Sequence, residues 1–390
     1  MEEQSMKEEQ SIEEQSIEEE QSMEGQNLCV IGDYYRINNN YEKAKEYYLI
    51  AVYLNNSNAM NCLGYCYCKI KKDYQKTKEY YLMAIDQGNC HAMNNLGCYY
   101  HNVEKNYPKA IEYYLMAIDQ GNSYAMNCLG YYYDEIEKNY PKAIEYYLMA
   151  IVQGNYIAMN NLGLYYKKIE KNYPKAVEYW LMAIDQGDHN AMNNLGFYYD
   201  EIEKDYPKVI EYYEKAIVKG DSNAMNNLGF YYNEIEKNYP KAIEYYLIAI
   251  NHGDNNAMTN LGTYYHNVEK DYSKAIEYYL MAIDQGNSHA IKNLKCINPL
   301  CIYLYIVQSK YETTNSELVE WLNQLKTDPK IMSFINKVRI FTQLNNVHSC
   351  TVCLETKLNI VMNCGHEICV DCYPMIDKCY YKCKTECFGH

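Results

Sequence analysis

Glycines that recur every 33 residues constrain the fold of this 390-residue chain more than any other feature. The first series consists of Leu-Gly pairs that end at Gly64, Gly97, Gly130, Gly163, Gly196, Gly229 and Gly262. The second series consists of Gly88, Gly121, Gly154, Gly187, Gly220, Gly253 and Gly286. An earlier copy around Gly32, shorter by one residue, brings the number of repeats to eight. A fixed period of this size predicts a solenoid in which each repeat stacks only on its neighbours.

Each repeat contains two segments with helical periodicity, as residues 89–121 illustrate. The apolar positions of the first segment are Ala92, Leu96, Tyr99, Tyr100 and Val103, which fall on one side of a helix. Those of the second segment are Ala110, Ile111, Tyr114, Ala117 and Ile118. Pro108 stands at the first position of the second helix, where a missing N–H costs nothing, and Gly121 supplies the C-terminal stop. The sequence therefore predicts two helices in every repeat.

Gly97 and its equivalents lie inside the first helix of each repeat. A glycine there costs about 1 kcal/mol relative to alanine, so its recurrence requires a compensating contact. We expect the second helix of the same repeat to approach closely at this point.

The side chains of the repeat resemble a known family. The pattern M-x2-L-G-x2-Y at 93–100, followed by A-x3-Y-x2-A at 110–117, resembles the tetratricopeptide repeat and its Sel1-like relatives. Met replaces the family's Trp, and Gly rather than Pro follows the second helix. The resemblance implies an all-α, right-handed solenoid of about eight two-helix repeats over residues 27–290.

By the same resemblance, the first helices line the inner surface of the solenoid, and the positions two and three before each Leu-Gly glycine face inward. These positions are Asn94, Asn95, Asn127, Asn160, Asn161, Asn193, Asn194, Asn226, Asn227 and Asn260. An asparagine amide can donate to a carbonyl and accept from an N–H of one extended peptide. We therefore predict a peptide-binding groove; recent duplication that copied asparagine without selection is the alternative.

Selectivity in this groove is expected from a pair of variable residues, four and five positions after each glycine. The pairs are His101-Asn102, Asp134-Glu135, Lys167-Lys168, Asp200-Glu201, Asn233-Glu234 and His266-Asn267. Acidic residues outnumber basic ones, which favours a partner with basic character.

Residues 350–383 carry seven cysteines and one histidine at spacings typical of zinc ligands. These residues are Cys350, Cys353, Cys364, His366, Cys369, Cys372, Cys379 and Cys383. Zinc prefers four tetrahedral thiolate or imidazole ligands, and eight ligands make two closed sites. Because so short a segment buries little apolar surface, binding of two zinc ions would supply its folding energy.

The order of these ligands, with CGHEICVDC in the middle, resembles the RING finger. The resemblance implies that Cys350, Cys353, Cys369 and Cys372 hold one zinc ion, and that Cys364, His366, Cys379 and Cys383 hold the other. It also implies that a ubiquitin-conjugating enzyme docks on Val352, Ile376 and Tyr380, with Lys384 contacting ubiquitin. In this chain the last two ligands are three residues apart instead of two, Tyr380 replaces a common Pro, and Cys387 is an alternative to Cys383.

Composition and the break in the repeat period predict the remaining domain boundaries. Residues 1–26 carry a charge of -9 out of the chain's -15 and predict a disordered or transiently helical acidic tail. Residues 291–347 break the period and predict a helical cap and spacer, in which 291–307 form one helix and Ser316 caps the next. Residues 348–390 form the predicted zinc finger.

The sequence also narrows the class of partner. A Lys/Arg-rich stripe is missing, so nucleic-acid binding is not expected. The longest apolar run, 299–307, is too short to cross a membrane, and the thiols favour a reducing compartment such as the cytoplasm. The near-identical repeats and the AT-biased composition resemble proteins of large amoeba-infecting DNA viruses, which implies the host cytoplasm.

These features together predict a RING-type ubiquitin ligase. The repeats would hold a protein substrate while the zinc finger recruits the conjugating enzyme. The alternative is a non-catalytic adaptor whose zinc-bound tail serves only folding or interaction. A metal-dependent hydrolase is disfavoured, because closed four-ligand sites leave no open coordination position.

Overall fold

A computed structural model describes residues 21–309, 311–330, 332, 359–361 and 367–369. The chain divides into two compact units, an N-terminal unit over Met1–Ala191 and a C-terminal unit over Met192–His390. Each unit is described by itself below.

The N-terminal unit is a stack of helix pairs. Its helices are α1 (21–37), α2 (Tyr41–Tyr53), α3 (Ser57–Cys66), α4 (Tyr74–Asp86), α5 (Cys90–Tyr99), α6 (Tyr107–Asp119), α7 (Ser123–Tyr131), α8 (Tyr140–Val152), α9 (Tyr156–Tyr165) and α10 (Tyr173–Asp185). Helix α11 (His189–Tyr198) begins in this unit and ends in the next.

The C-terminal unit continues the same pattern. Its further helices are α12 (Tyr206–Val218), α13 (Ser222–Glu234), α14 (Tyr239–Asn251), α15 (Asn255–Tyr264), α16 (Tyr272–Asp284), α17 (Ser288–Lys295), α18 (Pro299–Ser309) and α19 (Ser316–Thr327). Two short strands, β1 (Asn359–Val361) and β2 (Glu367–Cys369), pair antiparallel. The described residues between 21 and 330 thus confirm the predicted helical solenoid.

Asparagine and aspartate side chains start the helices. The Asn89 side chain accepts a hydrogen bond from the Ala92 N–H (3.0 Å) at the start of α5, and Asn106 accepts from the Lys109 N–H (3.3 Å) at the start of α6. The second helix of the repeat is followed by Gly121, whose φ of +77° lies in the left-handed region that favours glycine. The predicted helix boundaries follow from this capping chemistry.

The predicted glycine contact is confirmed. A Cβ atom placed on Gly97 would lie 2.7 Å from Cδ1 of Tyr114, and 3.2 Å from the carbonyl oxygen of Ala110. Tyr114 is fully buried between the two helices of its repeat. Only glycine leaves room for this ring, which offsets the poor helix propensity of glycine.

Most first helices end differently from the prediction, in a five-residue π-helical turn. These turns are Tyr67–Lys71, Tyr100–Glu104, Tyr132–Ile136, Tyr166–Glu170, Tyr199–Glu203 and Tyr265–Glu269. The wider turn rotates the residues within it. Val103, predicted on the buried side, is therefore 39% exposed, whereas Tyr99 and Tyr100 are buried as predicted.

The segment after the repeats is helical, as predicted, but its details differ. The expected single helix over 291–307 is two helices, α17 and α18, because Pro299 cannot continue a helix and instead starts one. The cap of α19 is Asn315 rather than Ser316, and its side chain accepts from the Leu318 N–H (3.0 Å). Ile302 and Leu318 belong to the core that covers the last repeat.

The domain boundaries at 26, 290 and 347 stay predictions, since residues 1–20 and most of 333–390 lie outside the described part. Residues 21–26, assigned to the acidic tail, are helical. Among the described helices, none is both long and apolar enough to cross a membrane.

Candidate protein-binding face

The predicted groove asparagines form two rows on the first helices of the repeats. The row three positions before the glycine is mostly buried and contains Asn94, Asn127, Asn160 and Asn226. Asn193 occupies the same position but is half-buried. The row two positions before the glycine is half-buried and contains Asn95, Asn161, Asn194, Asn227 and Asn260. Only the half-buried residues can contact a bound peptide.

The two rows bind each other between neighbouring repeats. Nδ2 of Asn95 donates to Oδ1 of Asn61 at 2.9 Å, and Nδ2 of Asn161 donates to Oδ1 of Asn127 at 2.9 Å. In the C-terminal unit, the same rung joins Asn227 to Asn193 (3.0 Å) and Asn260 to Asn226 (2.9 Å). The asparagines therefore hold the repeats in register, a role that the sequence reasoning did not predict.

One rung is incomplete. Cys128 occupies the position that would donate to Asn94, and Oδ1 of Asn94 is buried without a hydrogen-bond partner. The Cys128 sulfur instead lies 3.7 Å from the sulfur of Cys98. A buried acceptor without a partner costs roughly 1–3 kcal/mol, so this substitution weakens the rung.

Exposed aromatic side chains stand directly after the glycine of several repeats. In the N-terminal unit, Tyr65 is 38% exposed and Tyr131 is 46% exposed. In the C-terminal unit, Phe197 is 40% exposed and Phe230 is 45% exposed. We call these four residues the aromatic row. Sequence reasoning missed them, although large apolar residues at a position outside the predicted buried face were a visible signal.

The variable residue four positions after the glycine is mostly buried. The buried examples are His101, Asp134, Asp200 and Asn233. The ring of His101 lies 5.3 Å from the ring of Tyr107 and 6.2 Å from that of Tyr131. Burial and the nearby Lys105 lower the pKa of His101, which favours the neutral imidazole. His101 therefore packs against Tyr131 of the aromatic row and has little contact with solvent.

The adjacent carboxylates Asp134 and Glu135 have opposite electrostatic environments. Burial raises the pKa of Asp134, and the charge on Glu135 adds to this effect. A hydrogen bond from Lys138 (3.0 Å) lowers the pKa of Glu135, and Lys168 lies 3.6 Å from the same carboxylate. The acidic surface predicted to favour basic partners is thus partly neutralised within the protein.

We expect Asp134→Asn to raise the free energy of unfolding at neutral pH, because it removes a buried charge that folding disfavours. The advantage should shrink as pH falls through the raised pKa, since the wild-type carboxylate then becomes protonated. Glu135→Gln should have the opposite sign: its destabilisation is present at neutral pH and disappears as pH falls through the lowered pKa. Chemical denaturation from about pH 7 down to about pH 3 covers the range in which both effects should change. Equal effects of the two variants on the free energy of unfolding would contradict this account.

A second apolar row lies on the second helices of the repeats. Leu115 and Met116 are 40% and 37% exposed, and Leu148 and Met149 are 41% and 38% exposed. Unlike the aromatic row, this pair of residues is nearly the same in most repeats, although Glu214 and Lys215 replace it in α12. It serves below as a matched control for binding experiments.

The predicted zinc and docking residues fall almost entirely outside the described part of the chain. Of the predicted ligands, only Cys369 is described, in strand β2, where it pairs with Asn359 of β1. The other ligands outside the described residues are Cys350, Cys353, Cys364, His366, Cys372, Cys379 and Cys383, together with the alternative Cys387. The same holds for Val352, Ile376, Tyr380 and Lys384.

Known structures resemble the repeats. The chain is 24% identical to c5321, a protective antigen present in uropathogenic Escherichia coli strains that displays an SLR fold, covering 79% of this chain and 74% of that one with a TM-score of 0.47. It is 27% identical to a Sel1 repeat protein from Oxalobacter formigenes, covering 57% of this chain and 96% of that one with a TM-score of 0.44. No curated protein matches the sequence.

The model of the Sel1 repeat matches this chain eight times. The matched residues are 31–56, 57–89, 90–122, 123–155, 157–188, 189–221, 222–254 and 255–287. They correspond to the eight repeats defined by the glycine spacing, and Sel1 repeats generally bind protein partners. With more than half of its length matched in this way, the chain belongs to the Sel1 repeat family.

Proposed function

We propose that this protein is a RING-type ubiquitin ligase. In this proposal the Sel1 repeats bind a protein substrate and residues 348–390 recruit a ubiquitin-conjugating enzyme. The observation that carries the ligase half is the order Cys-Cys-Cys-His-Cys-Cys-Cys-Cys between Cys350 and Cys383. Seven thiols and one imidazole match the donors that zinc prefers in closed structural sites.

The β-hairpin in this segment supports the proposal. Val361 pairs with Glu367, so the five residues 362–366 connect the two strands. Two predicted ligands, Cys364 and His366, lie in this connection, and a third, Cys369, ends strand β2. Two zinc ions would here supply folding energy rather than chemistry.

The substrate half of the proposal is supported by the aromatic row. Aromatic side chains dominate binding energy at many protein interfaces, and those of this row are exposed at regular positions. In the repeats that keep them, half-buried asparagines such as Asn95 and Asn161 use one N–H in a rung and have a second N–H in the same amide. This combination suits an extended peptide, with aromatic contacts for affinity and amide contacts to its backbone.

Rate enhancement would come from positioning. A substrate held by the repeats stays on the same chain as the charged conjugating enzyme, which raises its effective concentration. The nucleophile would be a lysine of the substrate, and the thioester would belong to the conjugating enzyme. Partners with basic segments are favoured by exposed acidic residues such as Glu201.

An autoubiquitination assay tests the ligase activity. The full chain would be incubated with ubiquitin, its activating enzyme and a panel of conjugating enzymes. We expect ubiquitin chains to form with at least one conjugating enzyme of the panel. Val352→Ala should lower the rate of their formation at least tenfold, because the docking patch would lose apolar contact while zinc stays bound. A chain that binds zinc yet is inactive with every enzyme would instead favour the non-catalytic adaptor.

A further inference from the structure

The first rung between repeats differs in chemistry from the others. Cys29 stands three positions before Gly32, and Cys62 stands two positions before Gly64. These are the positions that the asparagines of the Asn61–Asn95 rung occupy one repeat later. A pair of thiols therefore replaces a pair of amides between α1 and α3.

A carboxylate joins the two thiols. Asp33 follows Cys29 by one helical turn, and one ligand atom from each of Cys29, Asp33 and Cys62 lies within 4.8 Å of the others. Two ligand atoms on one tetrahedral zinc ion lie about 3.5–3.8 Å apart, as bond lengths of about 2.0–2.3 Å require. Among the described residues, these three form the one such cluster of potential ligands.

The surroundings of Asp33 fix its orientation. Its Oδ1 accepts hydrogen bonds from Nη2 of Arg36 (2.9 Å) and from the hydroxyl of Tyr48 (2.8 Å). Carboxylates that bind metals are commonly held by such outer partners. The positive charge of Arg36 would also offset the negative charge that two thiolates and a carboxylate bring to one divalent ion.

The thiols are placed to act as ligands. Cys29 is buried on α1, and Cys62 lies close to it on α3, so the two helices supply one thiol each. Cys29 and Cys62 are 33 residues apart and belong to different repeats, so no local sequence motif brings them together.

We propose that Cys29, Asp33 and Cys62 bind a zinc ion between the first two repeats. Binding releases the thiol protons and joins α1 to α3, so that the metal stabilises the N-terminal end of the stack. This site is separate from the two predicted in the zinc finger and does not depend on the ligase activity.

Elemental analysis of the purified, reduced full chain tests this site. We expect three zinc equivalents in the wild type and the loss of one in the double variant Cys29→Asn/Cys62→Asn. This variant restores the amide rung found between other repeats, so its fold should be retained and can be checked by circular dichroism. Cys364→Ala should instead remove zinc from the zinc finger and leave the N-terminal ion bound.

A cobalt titration gives a second readout. Thiolate-to-cobalt absorption should fall by about one site in Cys29→Asn/Cys62→Asn relative to wild type. Equal metal content in the wild type and the folded double variant would overturn the proposal. A second result would also overturn it: Cys29 and Cys62 form a disulfide in the chain isolated without reductant, and the same thiols bind no zinc after reduction.

Discussion

Gly97→Val is expected to destabilise the repeat array by about 3 kcal/mol or more, at the upper end of the usual cost of overpacking. The added Cβ would lie 2.7 Å from Cδ1 of Tyr114, a ring that is only 1% exposed. The same Cβ would lie 3.2 Å from the Ala110 carbonyl oxygen, so a shift of the ring alone would not relieve the crowding. Valine gains only a few tenths of a kcal/mol in helix propensity over glycine. The steric overlap therefore outweighs the gain in helix propensity, and the substitution lowers the free energy of unfolding.

Chemical denaturation followed by circular dichroism measures this effect. Glu112→Val, at an exposed position of α6 in the same repeat, is the matched control and should change the free energy of unfolding by less than about 0.5 kcal/mol. In Gly97→Val/Tyr114→Leu, the smaller side chain should recover part of the loss, as contacting residues are coupled. A Gly97→Val variant as stable as the wild type would show that the helices do not meet at this glycine.

Cys364→Ala is expected to abolish ubiquitin-chain formation, down to the level of a reaction without this protein. Binding of structural zinc supplies about 10–16 kcal/mol in zinc-finger peptides, far more than a segment of this size can replace. Loss of one ligand from a closed site should therefore unfold the docking surface. Cys296→Ala is the matched control, because Cys296 is an exposed cysteine outside the predicted ligands. Full activity of Cys364→Ala would exclude a RING mechanism.

The helical architecture was predictable because its determinants are local. The glycine spacing, the Asn89 and Asn106 caps and the apolar face around Tyr114 each act within one repeat. The same locality explains the errors in the prediction. Val103 is exposed because it lies within a π-helical turn, and residues 291–307 form two helices because Pro299 interrupts them.

The candidate site was harder to predict because its contacts join different repeats. Asn95 and its partner Asn61 are 34 residues apart, and nothing in a single repeat indicates that their amides hydrogen-bond to each other. The cluster of Cys29 and Cys62 was missed for the same reason, since its two thiols come from different repeats. The roles of these residues follow from the way in which neighbouring repeats stack, which the sequence of a single repeat does not reveal.

A substrate probe is needed to test whether the repeats hold a substrate close to the conjugating enzyme. A peptide selected from a random library on the full chain would be fused to a reporter with an acceptor lysine. Tyr65→Ala/Tyr131→Ala removes two exposed members of the aromatic row, whereas Leu148→Ala removes a side chain of comparable exposure on a second helix. Aromatic anchors contribute more than about 1.4 kcal/mol each in many interfaces, which corresponds to a tenfold change.

The rate of ubiquitin transfer to this reporter, measured beside autoubiquitination in the same reaction, tests the account most directly. We predict that Tyr65→Ala/Tyr131→Ala lowers reporter modification at least tenfold and leaves autoubiquitination unchanged, while Leu148→Ala alters neither rate. Reporter modification at the wild-type rate in Tyr65→Ala/Tyr131→Ala would contradict the proposal that these repeats hold the substrate for the zinc finger.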